Sequence, residues 1–240
     1  MTTAYVERPP APALREHLAC TWGRTIPARQ PVVVRVVPDA CLDVIWRSDG
    51  QLQVAGPDTG PAPVAPPAAV TYAGVRFQPG AAPALLGVPA SALRDQRVDL
   101  AELWGPAEAR QLAERLWAAP DPAAALEDAF ADRLPRAAAL EPLAMPLVAV
   151  LGRRPGRLHT LAAELGLSER QLRRRCEAAF GYGPKTLDRV LRFRRFLALA
   201  AAGPASLADL ALAAGYADQA HLSRECRRLA GVTPAALHRP

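Results

Sequence analysis

LHTLAAELGLSERQLRRRCEAAFGYGP, residues 158–184, returns in altered form as LADLALAAGYADQAHLSRECRRLAGVTP, residues 207–234. In the first copy Leu158, Leu161, Ala162 and Leu165 stand at i, i+3, i+4 and i+7 ahead of Gly166. That is the pattern of a two-turn helix with one buried stripe and a glycine exit. Leu207, Leu210, Ala211, Ala214 and Gly215 repeat it at an offset of 49. One extra residue in the following turn makes the offset 50. It then holds for Leu172 with Leu222, Arg174 with Arg224, Cys176 with Cys226, Gly181 with Gly231 and Pro184 with Pro234. A short helix, a glycine turn and a second helix make a helix-turn-helix, so the matched positions predict that unit twice over.

The second helix of such a unit is the one that enters the DNA major groove. At 100° per residue from Leu172, the residues Cys176, Ala179 and Phe180 lie on its side and form the buried stripe. Arg170, Arg174 and Glu177 fall opposite, with Arg173 on the flank. Guanidinium groups there suit base reading, because each donates two parallel bonds to guanine O6 and N7. In the second copy Ala220, Ser223, Arg224 and Arg227 turn outward, with His221 and Arg228 at the edge. A solvated helix face is the other reading of these arginines. Arg174 and Arg224 recur at one place beyond equivalent glycine turns, which favours the functional one. Cys176 and Cys226 are expected in the core, and His221 has no second ligand at metal spacing.

Between the copies, Lys185 to Ala202 reads as a helix closed by Gly203-Pro204. Eighteen residues at about 1.5 Å span about 27 Å, close to the ~34 Å turn of B-DNA once the flanking turns are added. Leu187, Val190, Leu191 and Phe193 would serve both units. Arg189, Arg192, Arg194 and Arg195 surround them as structural or phosphate-bound groups, and Arg189, Arg227 and Arg228 are expected at phosphates.

Outward from the repeat, the 240-residue chain divides by charge. Residues 143–240 hold 15 Arg and one Lys against 7 acids, a formal +9, whereas residues 1–142 hold 13 Arg against 16 acids, a formal −3. Such asymmetry suggests a polyanionic partner for one half only, and nucleic acid leads. A GC-rich genome, whose codons favour Arg and Ala, with the basic face merely solvated, is the plainer alternative. Two domains follow as an expectation, 1–142 and 143–240, with Pro135 and Pro142 bracketing the border.

In the first half, β-branched runs at Val32–Val37, Leu42–Trp46, Leu52–Ala55 and Val70–Phe77 predict a small antiparallel sheet or barrel, with Asp49-Gly50 as a type I′ hairpin turn. The proline-rich Gly56–Ala69 reads as an exposed loop. Pro106–Ala118 and Pro122–Leu134 are amphipathic helices started by proline, either a connector or a dimer surface. The fold class is α+β: an N-terminal antiparallel β domain with helical connector, then an all-α duplicated helix-turn-helix.

The C-terminal hundred residues resemble the DNA-binding module of AraC/XylS-type transcriptional regulators. The resemblance rests on Leu161-Ala162, Gly166-Leu167-Ser168, Arg192-Phe193, Leu210-Ala211, Gly215-Tyr216, Ser223-Arg224, Gly231-Val232-Thr233-Pro234 and His238-Arg239, in order over about eighty residues. It implies a base-reading surface at Arg170, Arg173 and Arg174 in the first copy, and at Gln219, Ala220, His221, Ser223 and Arg224 in the second. Cys226 and Leu222 stand where the family usually has aromatics, and Phe196 where it commonly has Ala. The first 140 residues resemble an uncharacterised sensory domain through Val37–Trp46 and Gly74–Gly80. The partners implied are double-stranded promoter DNA, a small-molecule effector, RNA polymerase and a second copy of the chain.

Other classes fare worse. No apolar run reaches the roughly 18 residues of a membrane span and the first twelve residues lack a secretory pattern, so a cytoplasmic protein is expected. A DNA-repair methyltransferase with a cysteine nucleophile could carry a similar module. Only Cys20 and Cys41 are available in front, neither beside a His or Arg at motif spacing, so no enzyme, cofactor or metal site is expected. Asp39, Cys41 and Asp43 either share one strand face or border a turn.

Overall fold

The computed structural model describes residues 5–27, 34–64, 67–153 and 158–237. Val32 and Val33, the Ala65-Pro66 part of the proline-rich stretch, and His238-Arg239 lie outside the described residues. The chain is α+β. Strands β1 (Val6–Arg8), β2 (Leu18–Thr25), β3 (Val34–Val36), β4 (Asp43–Arg47), β5 (Leu52–Ala55), β6 (Ala62–Val64) and β7 (Thr71–Phe77) come first, followed by helix α1 (Ala82–Leu86), strand β8 (Arg97–Asp99) and helices α2 (Leu100–Trp104), α3 (Pro106–Ala118) and α4 (Pro122–Arg133). Six strands form one antiparallel sheet in the order β1-β2-β7-β4-β5-β8, and β3 pairs with β6 apart from it.

Strand alternation decides what each face of the sheet does. Val44 and Trp46 of β4, Leu52 and Val54 of β5, and Ala73, Val75 and Phe77 of β7 all enter one core. That core is closed by Leu112 and Leu116 of α3 and Leu126 and Phe130 of α4, with the Phe77 and Phe130 rings 5.4 Å apart and edge-on. These helices therefore cover the sheet instead of connecting domains. Their apolar stripes were visible in the sequence, but a stripe does not say which surface it meets. Asp121 starts α4 by accepting from the amides of Ala123 and Ala124.

The β4–β5 hairpin is real, but its turn is not type I′. The amide of Gly50 donates to the Arg47 carbonyl at 2.9 Å, which makes Ser48 and Asp49 the central residues. Gly50 follows at φ +96°, the left-handed residue of a three-residue loop. The proline-rich stretch also departs from expectation. Gly56 and Pro57 are buried, and residues 62–64 form β6 against β3.

The second half is helical: α5 (Ala144–Arg153), α6 (Leu158–Glu164), α7 (Glu169–Phe180), α8 (Pro184–Ala202), α9 (Leu207–Ala214), α10 (Gln219–Ala230) and α11 (Pro234–Leu237). Leu147 and Leu151 of α5 pack with Leu161, Ala162, Leu172, Cys176, Phe180, Leu187, Val190 and Leu191 in one cluster. Phe193 and Phe196 of α8 pack with Leu210, Ala211, Ala214, Leu222, Cys226 and Leu229 in another. One helix, α8, thus supplies both cores. No helix among the described residues is long and apolar enough to cross a membrane.

Candidate nucleic-acid interface

The two helix-turn-helix units are built alike down to single hydrogen bonds. Gly166 ends α6 at φ +65° and Gly215 ends α9 at φ +91°. The amide of Leu167 reaches the Ala162 carbonyl and that of Tyr216 the Ala211 carbonyl, each at 2.9 Å. Such six-residue closures need a left-handed residue, which glycine adopts without Cβ strain. Helix α7 then starts on a capping box, with Ser168 accepting from the Gln171 amide and Gln171 reaching back to the Ser168 amide. Helix α10 starts on Asp218, which accepts from the His221 amide at 2.6 Å. Both helices end identically, on Gly181 at φ +83° and Gly231 at φ +70°, with amides donating to Glu177 and Arg227 at 3.0 Å.

Leu172, Cys176, Ala179 and Phe180 of α7 are buried, as are Leu222, Cys226, Leu229 and Ala230 of α10. The opposite faces are open. Arg170, Arg173 and Arg174 are exposed on α7; Gln219, Ala220, Arg224, Arg227 and Arg228 are exposed on α10; His221 and Ser223 are half-buried beside them. Arg173 pairs along the helix with Glu177 at 2.8 Å, a surface bridge worth little. His221 lies edge-on to Tyr216, 5.2 Å between centroids, and its Nδ1 faces the Ala217 amide, so its ring is partly committed to the turn.

The linker arginines are different. Arg189, expected at a phosphate, is half-buried and bonded to Glu225 of α10 at 2.9 Å. Arg192 pairs with buried Asp188 at 2.5 Å, Arg194 donates to the Asp39 carbonyl at 3.0 Å, and Arg195 donates to the Gly152 carbonyl at 3.3 Å. Arg189, Arg194 and Arg195 thus hold α8 to its neighbours, while the Arg192 pair lies within the helix. Only the fold could divide structural arginines from exposed ones, because partners such as Glu225 and Asp39 are distant in sequence.

The N-terminal domain carries a second candidate site. On the sheet face away from the helices, β2, β4, β5 and β7 line a cavity of about 550 Å³, bordered by Arg35 to Asp39. Its walls include Trp22, Ile45, Tyr72, Gln53, Arg24 and Arg76. Asp39 and Asp43 both belong to it. Asp39 accepts from the Cys41 amide at 2.9 Å in a tight turn through Ala40 at φ +66°. It also approaches Arg76, at 3.7 Å, while Asp43 sits 3.2 Å from Arg76 and accepts from the Trp22 indole at 2.8 Å. The turn and the polar cluster are therefore both present.

Burial pushes the Asp43 carboxyl up to about 6 although Arg76 opposes the shift. A carboxyl raised on folding stabilises the protein at low pH and loses that contribution as pH climbs from about 4 to about 6. At about 1.4 kcal/mol per unit, up to about 3 kcal/mol is at stake. Asp43→Asn should flatten that part of the urea stability curve, and an unchanged pH slope would remove the assignment. Burial likewise pushes the Cys20 thiol up to about 11 and Cys41 upward, so neither is made a nucleophilic thiolate.

Residues 6–99 match the family described as a domain of unknown function (DUF6597), and residues 161–239 match a helix-turn-helix domain family. No curated protein matches the chain. Among solved structures, ToxT from Vibrio cholerae O395 is similar at 11% identity over 90% of this chain and 95% of that one, with a TM-score of 0.48. Unsaturated fatty acid-bound wild-type ToxT from Vibrio cholerae strain SCE256 is similar at 10% identity over 90% and 93%, with a TM-score of 0.46. The chain thus carries a helix-turn-helix domain over residues 161–239 behind an N-terminal domain of unknown function over residues 6–99.

Proposed function

We propose that this chain is a transcription regulator of the AraC type that reads two successive major grooves of DNA, and that a small molecule bound in the N-terminal cavity controls it. Base reading falls to Arg170, Arg173 and Arg174 in the first unit and to Gln219, Ala220, His221, Ser223 and Arg224 in the second. Arg227 and Arg228 bind phosphate. The functional border lies at 142/143, supported by a core that begins with α5 and takes only Ala40 from the described residues before it. The carrying observation is the pair Arg174 and Arg224, exposed at equivalent points of two helices with like turns and without an ion pair among the described residues. Guanidinium groups so placed are free to meet guanine edges.

Supporting the effector, the cavity has the size of a ligand site and mixes aromatic walls with a few polar groups, Arg24 and Gln53 among them. Selection of binding sites from random duplex DNA by the full chain tests the DNA reading. The expected product is two half-sites about 10 base pairs apart. Enrichment of no sequence overturns it. On the selected site, Arg227→Gln and Arg228→Gln should each lower the slope of log affinity against log salt by about 0.9, with little change in which bases are preferred. A base-specific loss from either change would move that residue from phosphate to base contact.

A further inference from the structure

The C-terminal ends of both recognition helices are seated against the N-terminal domain, and the contacts come in matched pairs. At the end of α7, Arg94 Nη1 donates to the Gly181 carbonyl at 3.3 Å, and a Cβ placed on Gly181 would lie 2.5 Å from Pro57 Cγ. At the end of α10, Arg35 Nη1 donates to the Ala230 carbonyl at 3.0 Å, and a Cβ placed on Gly231 would lie 3.5 Å from Pro61 Cγ. Gly181 and Gly231 are equivalent positions of the repeat. Each helix end thus meets one arginine and one proline, and both prolines come from one short segment, Pro57 to Pro61. The chemistry suits the place: the last carbonyls of a helix lack intrahelical donors and carry the negative end of its dipole, and a guanidinium answers both needs.

Within the C-terminal half, the two units are joined through α8 and the ion pair from Arg189 to Glu225. A single helix leaves bending and twisting between its ends as soft motions. The contacts at Gly181 and Ala230 close a second path between the units, through the N-terminal domain, and Arg194 ties the middle of α8 to the same domain at the Asp39 carbonyl. Resting on the two-groove reading above, we infer that Arg94 and Arg35 are positioning residues that hold the recognition helices at one separation, so that the N-terminal domain sets which half-site spacing the protein accepts. The exposed N-terminal halves of α7 and α10 stay clear of this seat, as base reading requires. Arg35 also lines the cavity, which puts the second clamp within reach of a bound molecule; Arg94 does not.

The test repeats the selection from random duplex DNA with the full-length Arg35→Gln, Arg94→Gln double variant beside the wild type, reading the distribution of half-site spacings. Wild type should return one dominant spacing. The double variant should return the same half-sites with two or more spacings, together with at least a threefold smaller penalty when one base pair is inserted between them. Arg110→Gln, which removes an exposed charge elsewhere, should behave as wild type. The same single spacing and the same insertion penalty in wild type and double variant overturn the clamp while leaving the two-groove reading intact. A wild type that enriches no paired half-sites overturns that reading and the clamp with it. If the double variant does not fold by its thermal melt, the two single variants are read in the same way, and unchanged spacing in both overturns the proposal.

Discussion

Gly56→Ala should destabilise the protein by about 4 kcal/mol or more, a large share of the roughly 5 to 15 kcal/mol that holds an ordinary domain folded. A Cβ at this position would lie 1.6 Å from the Leu93 carbonyl oxygen and 2.6 Å from its carbon. Both are backbone atoms, so no side-chain rotation relieves the clash. Moving either strand of chain is costly, because Gly56 donates to the Gln96 carbonyl at 3.0 Å and Leu93 is buried in the sheet core. The neighbouring segments run on to Pro57 and Ala90, both of which meet Gly181, so the damage should also reach the docking of α7. Gly50→Ala is the internal comparison. Nothing lies within 4 Å of its added Cβ, and only the left-handed φ of +96° opposes it, at about 1 to 2 kcal/mol. Urea denaturation of the two variants reads the difference directly. A Gly56→Ala midpoint equal to that of Gly50→Ala would mean that the two segments separate freely.

Replacing both Arg174 and Arg224 by Ala should cost about 2 to 6 kcal/mol of affinity for the selected DNA site. Each bidentate contact to guanine carries about 1 to 3 kcal/mol of discrimination, and residues in separate units without shared partners add. Neither side chain makes an ion pair among the described residues and both are exposed, so thermal stability should hardly change. Affinity for random duplex at the same salt should fall much less, because that binding rests on phosphate contacts. Titration of the selected site, sites altered at one base pair, and random duplex gives all three quantities. An equal loss on every duplex would place both arginines at phosphates.

The C-terminal half was largely readable in advance because its signals are local. The i, i+3, i+4, i+7 stripe and the glycine exits act within a few positions of one another. Duplication shows the same solution twice. Even the substituted Phe196 has a plain role: it fills the second core beside Phe193, at 6.2 Å between rings. The sheet was harder. Strands β4, β5 and β7 lie in short β-branched runs and were found, whereas β2, an interior strand, runs as Leu-Ala-Cys-Thr-Trp-Gly-Arg-Thr. Its register against β7 shifts between Leu18 and Cys20. The shift breaks the period-two pattern by which a strand is recognised. Strands β1, β6 and β8 are three residues each, too short for any periodicity.

By itself the sequence determined the duplicated unit, the glycine ends of its helices and the outward arginine faces, since all of these follow from the hydrogen-bonding and helical period of neighbouring residues. Tertiary structure alone decided that α3 and α4 roof a sheet, that Arg189 is tied to Glu225 while Arg174 is not, and that a proline-rich stretch seats both recognition helices. Those outcomes depend on pairs such as Arg35 with Ala230, 195 positions apart. Contacts of that range are selected by the shape of the packed chain, which no local pattern encodes.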